Sequence, residues 1–219
     1  MSFRDRTDAG QRLAAALIGY RSQQPVVLAL PRGGVPVAVP IAAALGAPLD
    51  LLPVRKIGVP WQPELAMGAV VDGAKDGARP IVVRNEEVIG RAGVEPADFD
   101  AVRDRELAEI ERRRRLYLGD RPRAEIAGRV VIVVDDGVAT GATTRAALRS
   151  LAVRKPQKIV LAVPVGPADT IAMLHQDVDE LICLEVYEQF RAIGLHYDDF
   201  SQVSDDEVRH LLAQTTAPR

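Results

Sequence analysis

Apolar positions follow two rhythms along the chain. Short, mainly apolar runs at 25–30, 49–54, 130–134, 158–163 and 180–184 predict strands, the run of five β-branched residues from Val130 to Val134 most plainly. Runs of that kind suit strands covered on both faces. Between them, apolar residues recur at helical spacing. Residues 8–20 carry Leu13, Leu17 and Ile18 on one face, with Thr7 or Asp8 as the expected cap. Further helices are predicted at 37–45, at 96–118 (Leu107, Ile110 and Tyr117 in phase), from Arg145 onward, at 168–175 and at 205–212. The last has acids in its first turn, where the helix dipole favours them. Short β patterns at 69–71 and 81–83, around Asp72-Gly73 and Asp76-Gly77, predict a hairpin arm. Strands separated by helices predict an α/β chain with a mostly parallel, Rossmann-like sheet flanked by helices and ligands at the carboxyl ends of its strands.

Composition narrows the functional class. The chain has 219 residues, 47% of them hydrophobic, which is enough for one domain with a real core. A net charge of −2 gives no general drive toward nucleic acid or anionic membranes. Cys183 is the only cysteine, so no disulfide forms within the chain. The first residues contain no signal-type apolar stretch, and no segment reaches transmembrane length. These features predict a soluble cytoplasmic protein with no membrane partner. The cluster Arg112-Arg113-Arg114-Arg115 follows Asp104, Glu106, Glu109 and Glu111 and has no aromatic interleaving. It reads as a salt-bridged helix face, with Glu109–Arg113 and Glu111–Arg115 as i,i+4 pairs, not a nucleic-acid surface. One of its arginines could still reach a bound anion.

Candidate chemistry gathers where strands end. After 130–134 come Asp135 and Asp136, then a loop of small and hydroxyl residues, then a helical pattern. The loop offers backbone N–H groups and the hydroxyls of Thr140, Thr143 and Thr144 to a phosphate on a helix N-terminus. The two carboxylates cannot favourably face that phosphate; they suit vicinal hydroxyls or a hydrated Mg²⁺. No Lys follows the glycine, so triphosphate hydrolysis of P-loop type is disfavoured. After 25–30 comes Pro31-Arg32-Gly33-Gly34, where glycines admit backbone amides to an anion and Arg32 can fork onto its oxygens. After 49–54 come Arg55 and Lys56, either a third anion-handling cluster or two solvated charges. Residues 58–64, rich in Gly and Pro and carrying the only Trp, suit either a lid or a rigid surface turn with Trp61 packed on its neighbours. The tail 187–200 concentrates aromatics in a chain that is 4% aromatic, to stack on a planar acceptor or to form a satellite core. His175, His196 and His210 have no zinc-ligand spacing.

The run VVIVVDDGVATGATT, residues 130–144, resembles the phosphoribosyl-pyrophosphate (PRPP) motif of type I phosphoribosyltransferases. Residues 31–36 resemble that family's pyrophosphate loop, 54–60 its Val-Arg-Lys segment in adenine-type members, and 190–200 its purine-type tail. The resemblance implies one catalytic domain over 1–219, with an inserted segment at 57–122 and a C-terminal hood from 186. It implies Mg²⁺-dependent transfer of the phosphoribosyl group from PRPP to a small-molecule nitrogen acceptor. Catalytic roles fall on Asp135, Asp136, Arg32 and Lys56, the two acids also holding the metal through water. The 5′-phosphate goes to Ala139, Thr140, Gly141, Ala142, Thr143 and Thr144. Pyrophosphate goes to Arg32, Gly33, Gly34, Arg55 and Lys56, and the acceptor to Val165, Tyr187, Phe190 and Tyr197. Ala139 stands where hypoxanthine–guanine-type members carry a carboxylate, and no Lys lies near Pro164, so a 6-oxopurine acceptor is disfavoured. The competing class is a PRPP or nucleotide sensor without turnover. A second copy of the chain is the one protein partner left open.

Overall fold

The computed structural model describes residues 2–72, 80–119 and 121–215. Helix α1 (Arg6–Leu17) leads through a 3₁₀ turn into β1 (Val26–Ala29), α2 (Gly34–Leu45) and β2 (Leu49–Leu51). The chain then builds β3 (Val54–Val59), β4 (Gln62–Val71), β5 (Ile81–Arg84), α3 (Glu86–Ala92) and α4 (Pro96–Leu118). It returns through β6 (Val130–Val134), α5 (Ala142–Ala152), β7 (Lys158–Pro167), α6 (Ala168–Leu174) and β8 (Glu180–Tyr187), and closes with α7 (Asp205–Ala213).

Five strands form one parallel sheet in the order β2-β1-β6-β7-β8. Helices cover both faces: α1, α2 and α7 pack on one, α5 on the other. From β1 the chain steps outward to β2 on one side, and β6 resumes on the other side of β1. Loops after β1 and β6 therefore diverge at a topological switch point, the crevice where open α/β sheets bind ligands.

Several element boundaries differ from expectation for local reasons. Asp5, not Thr7 or Asp8, caps α1; its extended backbone lets the carboxylate accept the Asp8 N–H, so the helix starts at Arg6. Helix α2 starts at Gly34, before the expected 37, because Pro36 is tolerated in a first turn, where its missing N–H has no partner to lose. The apolar run 49–54 is not one strand. Pro53 has no N–H to donate, so β2 stops at Leu51 and β3 starts at Val54 in a separate antiparallel sheet, β3-β4-β5. Arg55 and Lys56 thus lie on β3 instead of ending a core strand. Strands β7 and β8 run on to Pro167 and Tyr187, where their pairing continues.

The expected hairpin arm is present as β4 and β5, with Ala69 opposite Val83 and Val71 opposite Ile81. Its turn at Gly73, Asp76 and Gly77 lies outside the described residues. Residues 58–64 are the turn and flanks of the β3–β4 hairpin, and Trp61 at its tip is 58% exposed, not packed on neighbours. Helix α4 lays Phe99, Val102 and Ile110 on Ile57, Val59, Met67 and Val70, giving the small sheet its own core. Along the same helix Glu109 holds Arg112 and Arg113, and Glu111 holds Arg114 and Arg115, as the spacing predicts. The segment that returns from α4 to β6 is pinned by Arg123, which sits between the buried carboxylates of Asp50 and Asp72.

Candidate functional site

Strand β6 is buried along its whole length and delivers two acids to the crevice. Asp135 is half-buried and accepts the Asp136 N–H at 2.9 Å. Asp136 is 9% exposed, and its Oδ2 accepts the Arg6 Nε–H at 2.8 Å. Arg6 also donates to the Ser201 carbonyl at 2.8 Å and lies 3.8 Å over the Phe200 ring. The Tyr197 hydroxyl donates to the Asp136 carbonyl at 2.6 Å. Burial, reinforced by Asp136, pushes the Asp135 carboxyl well above the ordinary range. Burial raises Asp136 too, against the opposing pull of Arg6. Each acid therefore gains from a cation or hydroxyl donor brought by a ligand. Arg6 escaped the sequence reading because it is separated from Asp136 by 130 positions and belongs to no motif.

The β1 loop presses directly against this acid pair. Its Pro31–Arg32 peptide bond is cis. Gly33 has ordinary helical dihedrals, so a left-handed backbone is not why it is glycine. A Cβ there would sit 2.0 Å from Asp136 Oδ2, and one on Gly34 would sit 2.6 Å from the Val134 carbonyl oxygen. The two glycines thus let the loop close onto the end of β6. Arg32 lies 3.6 Å from Asp205 at the start of α7, which also accepts the Tyr117 hydroxyl.

Beyond the acids, Ala139, Thr140 and Thr143 are exposed, Ala142 is half-buried, and Gly141 and Thr144 are buried. Gly141 takes φ +71° as the N-cap of α5, and no side chain caps that helix. Its first N–H groups consequently point at the loop without a side-chain acceptor, the arrangement that binds anions. The Thr170 hydroxyl donates to the Ala139 carbonyl at 2.8 Å, and the Val138 N–H to the Val165 carbonyl at 2.9 Å, so β7 and α6 anchor the loop. A cavity of about 550 Å³ is lined by Arg55 and Lys56 and reaches Thr143 of the 139–144 loop and Pro31, the residue before Arg32. Arg55 donates to Glu106 of α4 at 2.8 Å.

The four residues expected at an acceptor divide. Val165 and Tyr197 are buried with Phe3 in an aromatic cluster, packed against other side chains. Tyr187 and Phe190 are half-buried and turn toward His196, at ring distances of 4.3 and 5.1 Å. The satellite-core alternative thus describes Val165 and Tyr197. Among the described residues no three His, Cys, Asp or Glu side chains cluster as a metal site. Two adjacent carboxylates still fit Mg²⁺, which keeps most of its shell as water and substrate oxygens. No described helix is long and apolar enough to cross a membrane.

Comparison with known proteins agrees with this geometry. A profile of the phosphoribosyl transferase domain family matches residues 4–199. Two curated relatives from Mycobacterium tuberculosis strains, named as candidate phosphoribosyl transferases, are 46% identical over 206 residues. The match takes in 94% of this chain but 45% of theirs, so the chain spans about half the length of these relatives. The crystal structure of TT1426 from Thermus thermophilus superposes with a TM-score of 0.81 at 38% identity, covering 99% of this chain and 100% of that one. AQ2163 from Aquifex aeolicus shares the fold at a TM-score of 0.50 and 12% identity, over 86% of this chain and 78% of its own.

Proposed function

The chain belongs to the phosphoribosyl transferase family, and we propose that it moves the 5-phosphoribosyl group of PRPP to a nitrogen acceptor. The observation that carries this reading is the sequence of features at one strand end. Two carboxylates leave β6, and within a few residues an uncapped helix N-terminus opens α5. That spacing suits a ligand whose hydroxyls and phosphate lie on one sugar.

In this reading the 139–144 loop holds the 5′-phosphate, a handle remote from the reacting carbon. Asp135, and Asp136 as positioned by Arg6, take the ribose hydroxyls and stabilise positive charge developing on the ring. The acceptor nitrogen forms its bond to C1′ as the C1′–oxygen bond breaks. Pyrophosphate departs with the electron pair, and the nitrogen's proton passes to solvent. Arg32, Arg55 and Lys56 receive the leaving group. Mg²⁺, held by Asp135 and Asp136 through water, would supply charge neutralisation for the pyrophosphate. Ala139 and the apolar end of β7 offer nothing to a 6-oxopurine, so another nitrogen acceptor is expected.

Calorimetry with PRPP and Mg²⁺ tests the reading. Micromolar affinity (about −8 kcal/mol) is expected for wild type and lost in Asp135→Asn/Asp136→Asn. An acceptor screen for pyrophosphate release then tests turnover. Absence of PRPP binding refutes the reading, and binding without turnover on any acceptor favours the sensor class.

A further inference from the structure

The cavity beside Arg55 and Lys56 has a wall the motifs do not account for. Besides Arg55 and Lys56 it is lined by Val102, Arg105, Glu106 and Arg113 of α4. Positions 102, 106 and 113 share one helix face, so α4 turns a continuous stripe toward the cavity. Four cationic side chains and one described carboxylate line this space. The carboxylate, Glu106, is 7% exposed and is shared between Arg55 at 2.8 Å and Arg105 at 3.4 Å. Arg113 is anchored by Glu109 at 2.6 Å, yet Glu109 also serves Arg112, so that group of three keeps a net positive charge. A cationic recess of about 550 Å³ reaching from Pro31 to Thr143 fits a diphosphate better than a single phosphate.

We propose that α4 forms the second wall of a diphosphate site. Arg113, assisted by Arg105, contacts the ligand together with Lys56, while Glu106 is a positioning residue that aims Arg55. The inference rests on the phosphoribosyl transfer reading only for the identity of the diphosphate, either the PRPP leaving group or the free product. It extends that site to a helix outside every recognised motif. The Arg cluster at 112–115 then has two duties: Arg112 and Arg115 are exposed and Arg114 is half-buried on Glu111, while Arg113 serves the cavity.

The test is calorimetric titration of the ligand-free chain with inorganic pyrophosphate in magnesium chloride, with ribose 5-phosphate as the control for the α5 loop. Arg113→Gln should weaken pyrophosphate binding by about tenfold or more, the worth of a charge-assisted hydrogen bond, and leave ribose 5-phosphate unchanged. Arg113→Lys should recover part of the loss, and Glu106→Gln should weaken pyrophosphate binding through Arg55. Unchanged pyrophosphate affinity in Arg113→Gln, beside a clear loss in Arg55→Gln, overturns the proposal. So does a wild type that binds ribose 5-phosphate but not pyrophosphate. Arg113-dependent pyrophosphate binding without phosphoribosyl transfer to any acceptor upholds the α4 wall and rejects the enzymatic reading alone. Equal thermal midpoints for Arg113→Gln and Arg113→Lys exclude misfolding as the cause of a difference between them.

Discussion

Replacing Gly33 by alanine should destabilise the protein through one side chain, Asp136. The backbone at Gly33 is right-handed helical (φ −59°, ψ −34°), so alanine incurs no dihedral cost there. As the N-cap of α2, the position gives alanine no helix-propensity gain over glycine. Its Cβ, however, would lie 2.0 Å from Asp136 Oδ2 and 2.5 Å from its Cγ. A carboxylate can rotate away, unlike a strand backbone, but rotation takes Oδ2 off Arg6, with which it forms a 2.8 Å pair of side chains only 11% and 12% exposed. Removing one partner of a buried pair costs about 3–5 kcal/mol. Because both partners remain and can partly re-form the contact, we expect a loss of about 2–4 kcal/mol. For a chain of this size that lowers the thermal midpoint by about 10 °C. The assay is a double-mutant cycle in urea with Asp136→Ala, which removes the clash and the pair together. Gly33→Ala should then cost close to nothing, giving a coupling of about 2–4 kcal/mol. An equal cost in both backgrounds would refute the reasoning, because the loss would then come from the loop itself.

Two further outcomes follow from charges outside the crevice. Arg123→Met should cost about 3–5 kcal/mol by leaving the buried Asp50 and Asp72 carboxylates without their shared cation; a urea midpoint within error of wild type would show that the two acids find another partner. Hydrogen bonds from Arg112 and Arg114, followed by their neighbouring arginines, lower Glu109 and Glu111 from 4.5 to about 2. Their folded values lie below their unfolded ones, so the stability they contribute is present above pH ~4.5 and is lost as pH falls toward 2. Thermal midpoints taken from pH 6 to pH 2 should fall less steeply in Glu109→Gln/Glu111→Gln than in wild type, and parallel curves would remove these pairs from the account.

Elements whose cause is local were legible in the sequence. Helix α4 spans Pro96–Leu118, as expected, because its start residue, its apolar phase and its i,i+4 pairs all sit within the helix. Strand β6 and the acids after it were legible for the same reason. The split of 49–54 was written in Pro53, but a mainly apolar stretch outweighed a single missing N–H. The partners of the site residues were not legible, since each arrives from a distant element: Arg6 on Asp136, Glu106 on Arg55, Asp205 on Arg32.

The glycines and the acid pair show how a correct motif can still mislead about roles. Gly33 and Gly34 suggested space for an anion, but part of that space is taken by the end of β6 itself. Asp135 and Asp136 suggested two equivalent ligands, yet consecutive residues leaving a strand point to different sides. Asp136 turns to Arg6 and Gly33 and so ties α1, the β1 loop and the tail at Tyr197 to one point. Asp135 remains half-buried beside it. A substitution at Asp136 should therefore disturb folding and ligand binding together, whereas Asp135→Asn should act on ligand binding with little loss of stability. The stability difference between those two variants can be measured without knowing the acceptor.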